Sequence, residues 1–120
     1  MNKLAVVITT PPESNLSVTA IEYIESALDS GVEVIGVFFY QCGVMHANAK
    51  IQIASDEYQA IQHWQRLSNK YQLPLHLCIT AAEKHGMSDE FVDSIHNIFT
   101  ISGLGELVEL QTHADRMVQF

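Results

Sequence analysis

The stretch LAVVI at Leu4–Ile8, followed by TTPP at residues 9–12, decides the fold class of this 120-residue chain. Five consecutive apolar residues, rich in β-branched side chains and ended by two prolines, predict a strand that is buried on both faces. A second run of this kind, VIGVFF at Val34–Phe39, predicts a second buried strand. Strands of this type are typical of parallel sheets covered by helices.

Helical patterns alternate with these strands. The first predicted helix follows the prolines and ends before Gly31, a residue suited to the C′ position. Its apolar side chains recur at helical spacing and are Val18, Ile21, Ile24 and Leu28. After the second strand comes a less periodic connection, residues 40–54, whose length in so short a chain indicates a site or an interface.

The second predicted helix has Ser55 as its N-cap residue, with Asp56 and Glu57 in its first turn. Arg66 and Lys70 lie near its end, and both charge placements suit the helix dipole. Its predicted apolar face consists of Ile61, Trp64, Leu67 and Tyr71.

The rest of the chain continues the alternation. We expect strands over residues 75–79, 98–101 and 117–120. We also expect a short helix capped by Thr80 and ending at Gly86, a helical segment over Asp89–Ile95, and a helix that follows Ser102–Gly105 and runs through Leu110. This order predicts an α/β fold: a three-layer α/β/α sandwich with a mainly parallel sheet of about five strands, in one domain over residues 1–120.

Composition and charge narrow the class of function. Six Lys and Arg stand against fourteen Asp and Glu, and the net charge of −8 disfavours nucleic-acid binding that neutralises many phosphates. No apolar run approaches the ~20 residues that cross a bilayer, and Leu4–Ile8 is too short for a secretory signal. We therefore expect a soluble cytoplasmic protein whose two cysteines are thiols.

Cys78 is the strongest candidate for chemistry. It ends the third predicted strand directly before a predicted helix, and reactive groups of doubly wound sheets lie at this edge. Backbone N–H groups and the helix dipole there favour a thiolate, the form of cysteine that acts as a nucleophile. The alternative is a cysteine that only fills space in the core. Its position alone leaves both interpretations open.

Two further residues could assist Cys78. His76 precedes it by two positions, so strand alternation puts both side chains on one face, where His76 could pair with the thiolate or simply be a half-buried neighbour. Cys42, with His46 four residues later, could resolve an oxidised or sulfurated Cys78. The six histidines show no metal-ligand spacing, so no metal site is predicted.

The segment Ser102–Gly105 (SGLG) has two interpretations. Its glycines permit close packing of a helix against the sheet, and the helix start offers N–H donors to an anion. It lacks the third glycine of a dinucleotide fingerprint and contains no GK[ST], so no nucleotide site is predicted.

Several segments occur together in an order known from one family. They are Val37–Tyr40 with Gly43-Val44, Ala47-Asn48, Ala54–Glu57 followed by Trp64, Cys78 between apolar residues, Ser102–Gly105, and Asp115-Arg116 with Val118–Phe120. In this combination the chain resembles the DsrE-like sulfurtransferases over essentially its full length. It is most similar to the members that serve a bacterial sulfur relay for tRNA thiolation.

The resemblance implies that Cys78 is the active-site cysteine and accepts sulfur as a persulfide. It implies an upstream sulfur-carrier protein and a downstream carrier that serves 2-thiolation of the tRNA wobble uridine. It also implies two related small subunits in a heterohexamer, with no cofactor, no membrane and no direct stable tRNA binding. Neither Cys42 nor His76 inherits a role from the resemblance.

Two alternatives stay open at this point. A sulfur carrier of sulfur oxidation would use the same persulfide chemistry in another pathway, and only the closer resemblance favours the tRNA route. An assembly subunit without chemistry of its own would need no active Cys78, since the family also contains subunits that lack this cysteine.

Overall fold

The computed structural model describes residues 2–88 and 94–120, and a five-stranded sheet lies at its centre. The strands are β1 (Lys3–Ile8), β2 (Glu33–Phe39), β3 (Leu75–Cys78), β4 (Thr100–Ser102) and β5 (Arg116–Gln119). They lie in the order β4-β3-β2-β1-β5, and all neighbouring pairs are parallel. The predicted parallel sheet of about five strands is confirmed.

Helices cover both faces of this sheet. They are α1 (Asn15–Asp29), α2 (Ala60–Tyr71), α3 (Ile79–Lys84) and α4 (Leu104–His113), and a 3₁₀ helix spans Gln41–Ala47 after β2. Strands β1 to β4 follow one another across the sheet in one direction, so right-handed crossovers place α1, α2 and α3 on one face. The return from β4 to β5 places α4 on the other face. The predicted three-layer sandwich is therefore confirmed.

The core between the sheet and α2 contains a cluster of buried aromatic rings. Trp64 and Leu67 of α2 are fully buried, which confirms the predicted apolar face of that helix. The ring of Phe39 meets the rings of Trp64 and Phe99 edge-on at centroid distances of 5.1 and 5.0 Å. Edge-to-face geometry of this kind adds a stabilising contact beyond the burial of area.

The predicted start of α2 is wrong. The helix begins at Ala60, and Ser55 lies in a turn instead of capping it. The side-chain amide of Gln59 donates hydrogen bonds to the carbonyls of Ile53 and Ala54 at 3.1 and 2.9 Å. These bonds, together with the N–H of Glu57 donating to the carbonyl of Ala54, hold the preceding residues in a turn, so the N-cap residue is Gln59, four positions after Ser55.

The predicted cap of α3 is also wrong, whereas both helix-ending glycines are confirmed. The first helical residue is Ile79, so Cys78 itself occupies the N-cap position and Thr80 lies inside the first turn. Gly31 and Gly86 have φ values of +87° and +80°, the left-handed conformation expected where a helix ends. The predicted segment Asp89–Ile95 lies mostly outside the described residues.

Within the described residues, no helix is long and apolar enough to span a bilayer.

Candidate functional site at the carboxyl edge of the sheet

Cys78 lies at the carboxyl end of β3, as predicted, and its side chain is almost completely buried, with 1% of its surface exposed. It borders a pocket of about 250 Å³ at this edge of the sheet. Tyr40 and Gln41, which directly follow β2, and Leu104 at the start of α4 border the same pocket, because the carboxyl ends of parallel strands meet at one edge.

The rest of the pocket wall comes from α3 and the residue that follows it. Thr80 and Ala81 belong to the first turn, and Lys84 and His85 stand at its end. Tyr40, Gln41, Lys84 and His85 were not predicted as site residues from the sequence. Only the first two had a usable signal, since they directly follow a buried strand.

The backbone next to this pocket is held in an uncommon conformation. Gln41 has a φ of +52°, a left-handed value that is rare for a residue with a side chain. The following segment is packed directly against the end of β1, because a Cβ atom on Gly43 would lie 2.0 Å from the carbonyl oxygen of Ile8. The N–H of Tyr40 also donates to the Ile8 carbonyl at 2.9 Å. These contacts fix the wall formed by Tyr40 and Gln41.

His46 is a structural residue behind this wall. Its Nε2 donates to the carbonyl of Thr10 at 3.0 Å, and its Nδ1 accepts a hydrogen bond from the indole of Trp64 at 3.1 Å. Burial lowers the pKa of His46 to about 4, so the imidazole is neutral at neutral pH. Both ring nitrogens of His46 are therefore engaged in hydrogen bonds within the core.

Cys42 lies four residues before His46 and is exposed to solvent, whereas Cys78 is buried. The two cysteines are free thiols.

His76 contacts the other helical layer. Its Nδ1 lies 3.1 Å from the hydroxyl of Ser102 and 3.9 Å from the carboxylate of Glu106 on α4. Burial lowers the pKa of His76, and the nearby Glu106 carboxylate opposes that shift. In the described part of the chain, no hydrogen bond joins His76 to Cys78. The geometry thus gives His76 polar partners in β4 and α4 and none at the thiol.

The glycines of Ser102–Gly105 do not serve close packing. A Cβ atom built on Gly103 or Gly105 would meet no atom within 4 Å, so the expectation of a tight contact between helix and sheet is wrong. Gly103 has extended backbone angles and precedes α4 as its N-cap residue.

Comparison with known proteins identifies the family to which this chain belongs. A family model described as the DsrE/DsrF-like family matches residues 2–120. The chain belongs to the DsrE/DsrF-like family, and the predicted resemblance is confirmed.

Curated relatives within that family carry a more particular name. The chain is 39% identical to Sulfurtransferase TusD of Klebsiella pneumoniae, with 85% of this chain and 86% of the relative covered. It is 37% identical to the Sulfurtransferase TusD homolog of Pasteurella multocida, with 82% and 83% covered. It is 34% identical to Sulfurtransferase TusD of Salmonella paratyphi B, with 98% and 99% covered. These relatives confirm the predicted sulfurtransferase class.

Solved structures support the fold independently. The ychN protein from E. coli superposes with a TM-score of 0.77 over the full length of both chains at 23% identity. A protein of unknown function from Methanobacterium thermoautotrophicum superposes with a TM-score of 0.72, also over both full lengths, at 14% identity.

Proposed function

We propose that the chain accepts sulfur on Cys78 as a persulfide and passes it to a downstream carrier that serves 2-thiolation of the tRNA wobble uridine. The observation that carries this proposal is the position of Cys78, which ends β3 and borders a pocket at the sheet edge where doubly wound folds hold their reactive groups. The name of the curated relatives supports the same chemistry.

The proposed reaction is a pair of thiol–disulfide-type exchanges. The Cys78 thiolate attacks the outer sulfur of a donor persulfide, the donor's S–S bond breaks, and the donor leaves as a thiolate. Cys78 then carries the persulfide. In the second exchange the thiolate of the downstream carrier attacks the outer sulfur on Cys78, and the Cys78 thiolate is released. Sulfur moves without net oxidation, so no oxidant or reductant is needed. Both exchanges use the same thiol, so Cys78 is the one catalytic residue that the proposal requires.

The partners follow from this chemistry. We propose an upstream sulfur-carrier protein as donor, a downstream carrier as acceptor, and a heterohexamer with two related small subunits, all in the cytoplasm. Exposed apolar side chains near the pocket support an interface: Leu104, which also borders the pocket, is 49% exposed, and Val108 on α4 is 59% exposed. The net charge of −8 agrees with tRNA being bound by another protein of the relay.

One observation favours a second candidate function. The Cys78 side chain is only 1% exposed, as expected of a cysteine that fills space in the core of an assembly subunit. In that case sulfur flow through the complex would survive the loss of the thiol.

Mass spectrometry of the intact protein and its peptides separates the two candidates. The chain is incubated, together with its partner subunits, with a cysteine desulfurase, cysteine and the small carrier, and Cys78→Ser and Cys42→Ser are treated in parallel. We expect the gain of one sulfur atom at Cys78 in the wild type and in Cys42→Ser, and none in Cys78→Ser. Loading of the carrier without any gain on the chain would favour the assembly subunit.

A further inference from the structure

The pocket at Cys78 has a charge opposite to that of the chain around it. Acidic residues outnumber Lys and Arg by fourteen to six in the sequence. The pocket wall nevertheless contains Lys84 and His85, and no carboxylate belongs to the described residues that line it. The acidic surface as a whole repels anions, whereas this pocket can attract them.

In the described part of the chain, the Lys84 ammonium group has no ion-pair partner. Lys84 is exposed at the end of α3, and across residues 2–88 and 94–120 no carboxylate oxygen lies within 4.0 Å of its ammonium group. An ammonium without an ion-pair partner beside a low-dielectric pocket attracts anions more strongly than one that is neutralised by a neighbour.

The neutral polar groups of the pocket act in the same direction. The hydroxyl groups of Tyr40 and Thr80 and the side-chain amide of Gln41 can all donate hydrogen bonds. A wall that contains these donors and the Lys84 ammonium group stabilises negative charge on a ligand. Since Cys78 is buried, a ligand must enter this pocket to reach the thiol.

We propose that Lys84, assisted by His85, makes the Cys78 pocket selective for anionic ligands, and that the sulfur donor is accordingly a persulfide on an acidic protein segment. The second half of the proposal rests on the proposed function; the anion selectivity does not. In the exchange Cys78–S⁻ + R–S–SH → Cys78–S–SH + R–S⁻, the negative charge moves from the protein thiolate to the departing donor. Lys84 stands at the pocket wall where that departing thiolate would be stabilised.

Two alkylating reagents of similar size and different charge test the selectivity without any sulfur donor. Iodoacetate is an anion and iodoacetamide is neutral, and peptide mass spectrometry follows alkylation of Cys78 with exposed Cys42 as the reference in the same molecule. We expect Lys84→Gln to lower the iodoacetate rate at Cys78 by about fivefold while the iodoacetamide rate stays within about twofold. The matched control is Lys50→Gln, which removes an exposed lysine outside the pocket.

Three results would overturn the anion selectivity. The first is a ratio of the iodoacetate rate to the iodoacetamide rate at Cys78 that is the same in Lys84→Gln as in the wild type. The second is a change of this ratio in Lys50→Gln that equals the change in Lys84→Gln. The third is a Cys78 that reacts with neither reagent, since the pocket would then admit no ligand of this size.

A second experiment addresses the donor. Sulfur transfer from the loaded carrier to Cys78 is timed in the wild type, in Lys84→Glu and in Lys50→Glu, at low and high salt. We expect Lys84→Glu alone to slow transfer, by about tenfold at low salt and less at high salt. Equal rates in the three proteins would refute the acidic donor and leave the proposed function standing. If Cys78 of the wild type never accepts sulfur, the proposed function is refuted. The alkylation experiment still tests the anion selectivity in that case.

Discussion

The indole nitrogen of Trp64 donates a hydrogen bond to Nδ1 of His46, 3.1 Å away, inside the core. The other ring nitrogen of His46 donates to the carbonyl of Thr10 at 3.0 Å. These two bonds are satisfied together only by the neutral imidazole with its proton on Nε2. One neutral side chain thus joins α2, the 3₁₀ helix and the segment that follows β1.

This arrangement makes stability depend on pH. The pKa of His46 falls from 6.5 to about 4 on folding, so between these values the unfolded chain binds more protons than the native one. The free energy of unfolding therefore decreases as the pH falls from about 6.5 to about 4, by up to about 3 kcal/mol. Urea unfolding at pH 7, 5.5 and 4.5 measures this loss.

The variant His46→Gln isolates the contribution of this ring. It should be less stable than the wild type at pH 7 and lose less stability on acidification, whereas His113→Gln, at an exposed position, should keep the wild-type dependence. Equal pH dependences of His46→Gln and the wild type would contradict the assignment. The pKa values of His63, His76 and His96 are also lowered by burial, so a smaller dependence of the same sign should remain.

Trp64→Phe tests the hydrogen bond apart from the charge. Phenylalanine keeps an aromatic ring against Phe39 but leaves Nδ1 of His46 buried without a donor. We expect a loss of about 2–4 kcal/mol in the free energy of unfolding, from the unpaired acceptor and the smaller ring together. In His46→Phe, Trp64→Phe should cost clearly less, and full additivity in this double-mutant cycle would show that the bond contributes nothing.

Two glycine substitutions should change stability in opposite directions. Gly43→Ala places a methyl group against the backbone of Ile8, where no flexible side chain can move aside, and should cost about 3 kcal/mol. Gly105→Ala adds a methyl group in open space within α4 and should stabilise by up to about 1 kcal/mol. Thermal unfolding of both variants checks this. Similar effects of the two would mean that Gly43 does not pack against Ile8 as described.

The two thiols should differ in their access to bulky reagents. Cys42 is exposed and Cys78 is buried behind a pocket of about 250 Å³. With a thiol reagent larger than this pocket, we expect Cys42 to react at least about tenfold faster than Cys78, because Cys78 then depends on local opening. Kinetic labelling of Cys42→Ser and Cys78→Ser measures each thiol alone. Equal rates would mean that the wall formed by Tyr40 and Gln41 opens freely.

The sequence was sufficient to predict the architecture because buried strands can be recognised from short stretches of sequence. Leu4–Ile8 and Val34–Phe39 are continuous apolar runs, and the helices between them repeat apolar residues at helical spacing. Helix starts were harder to predict, because Ser55 is typical of an N-cap residue, whereas the side-chain amide of Gln59 bonds to the carbonyls of Ile53 and Ala54 and keeps this segment in a turn.

The candidate site was predictable only in part. Cys78 was placed correctly because the end of a strand is a local feature. The rest of its pocket comes from the residues that follow β2, from α3 and His85, and from the start of α4, and it depends on the order of the strands. The role of His46 depends on partners 36 and 18 positions away, which spacing arguments do not reach.

The position of β5 beside β1 has a consequence for synthesis of the chain. Lys3 and Asp115, which are hydrogen-bonded where the two strands begin, are 112 positions apart. While the ribosome is still making the middle of the protein, one edge of the apolar strand β1 has no backbone partner and can pair with other nascent chains. The sheet is completed only after translation of residues 116–119, so chaperone occupancy of nascent chains should persist until that point and then fall.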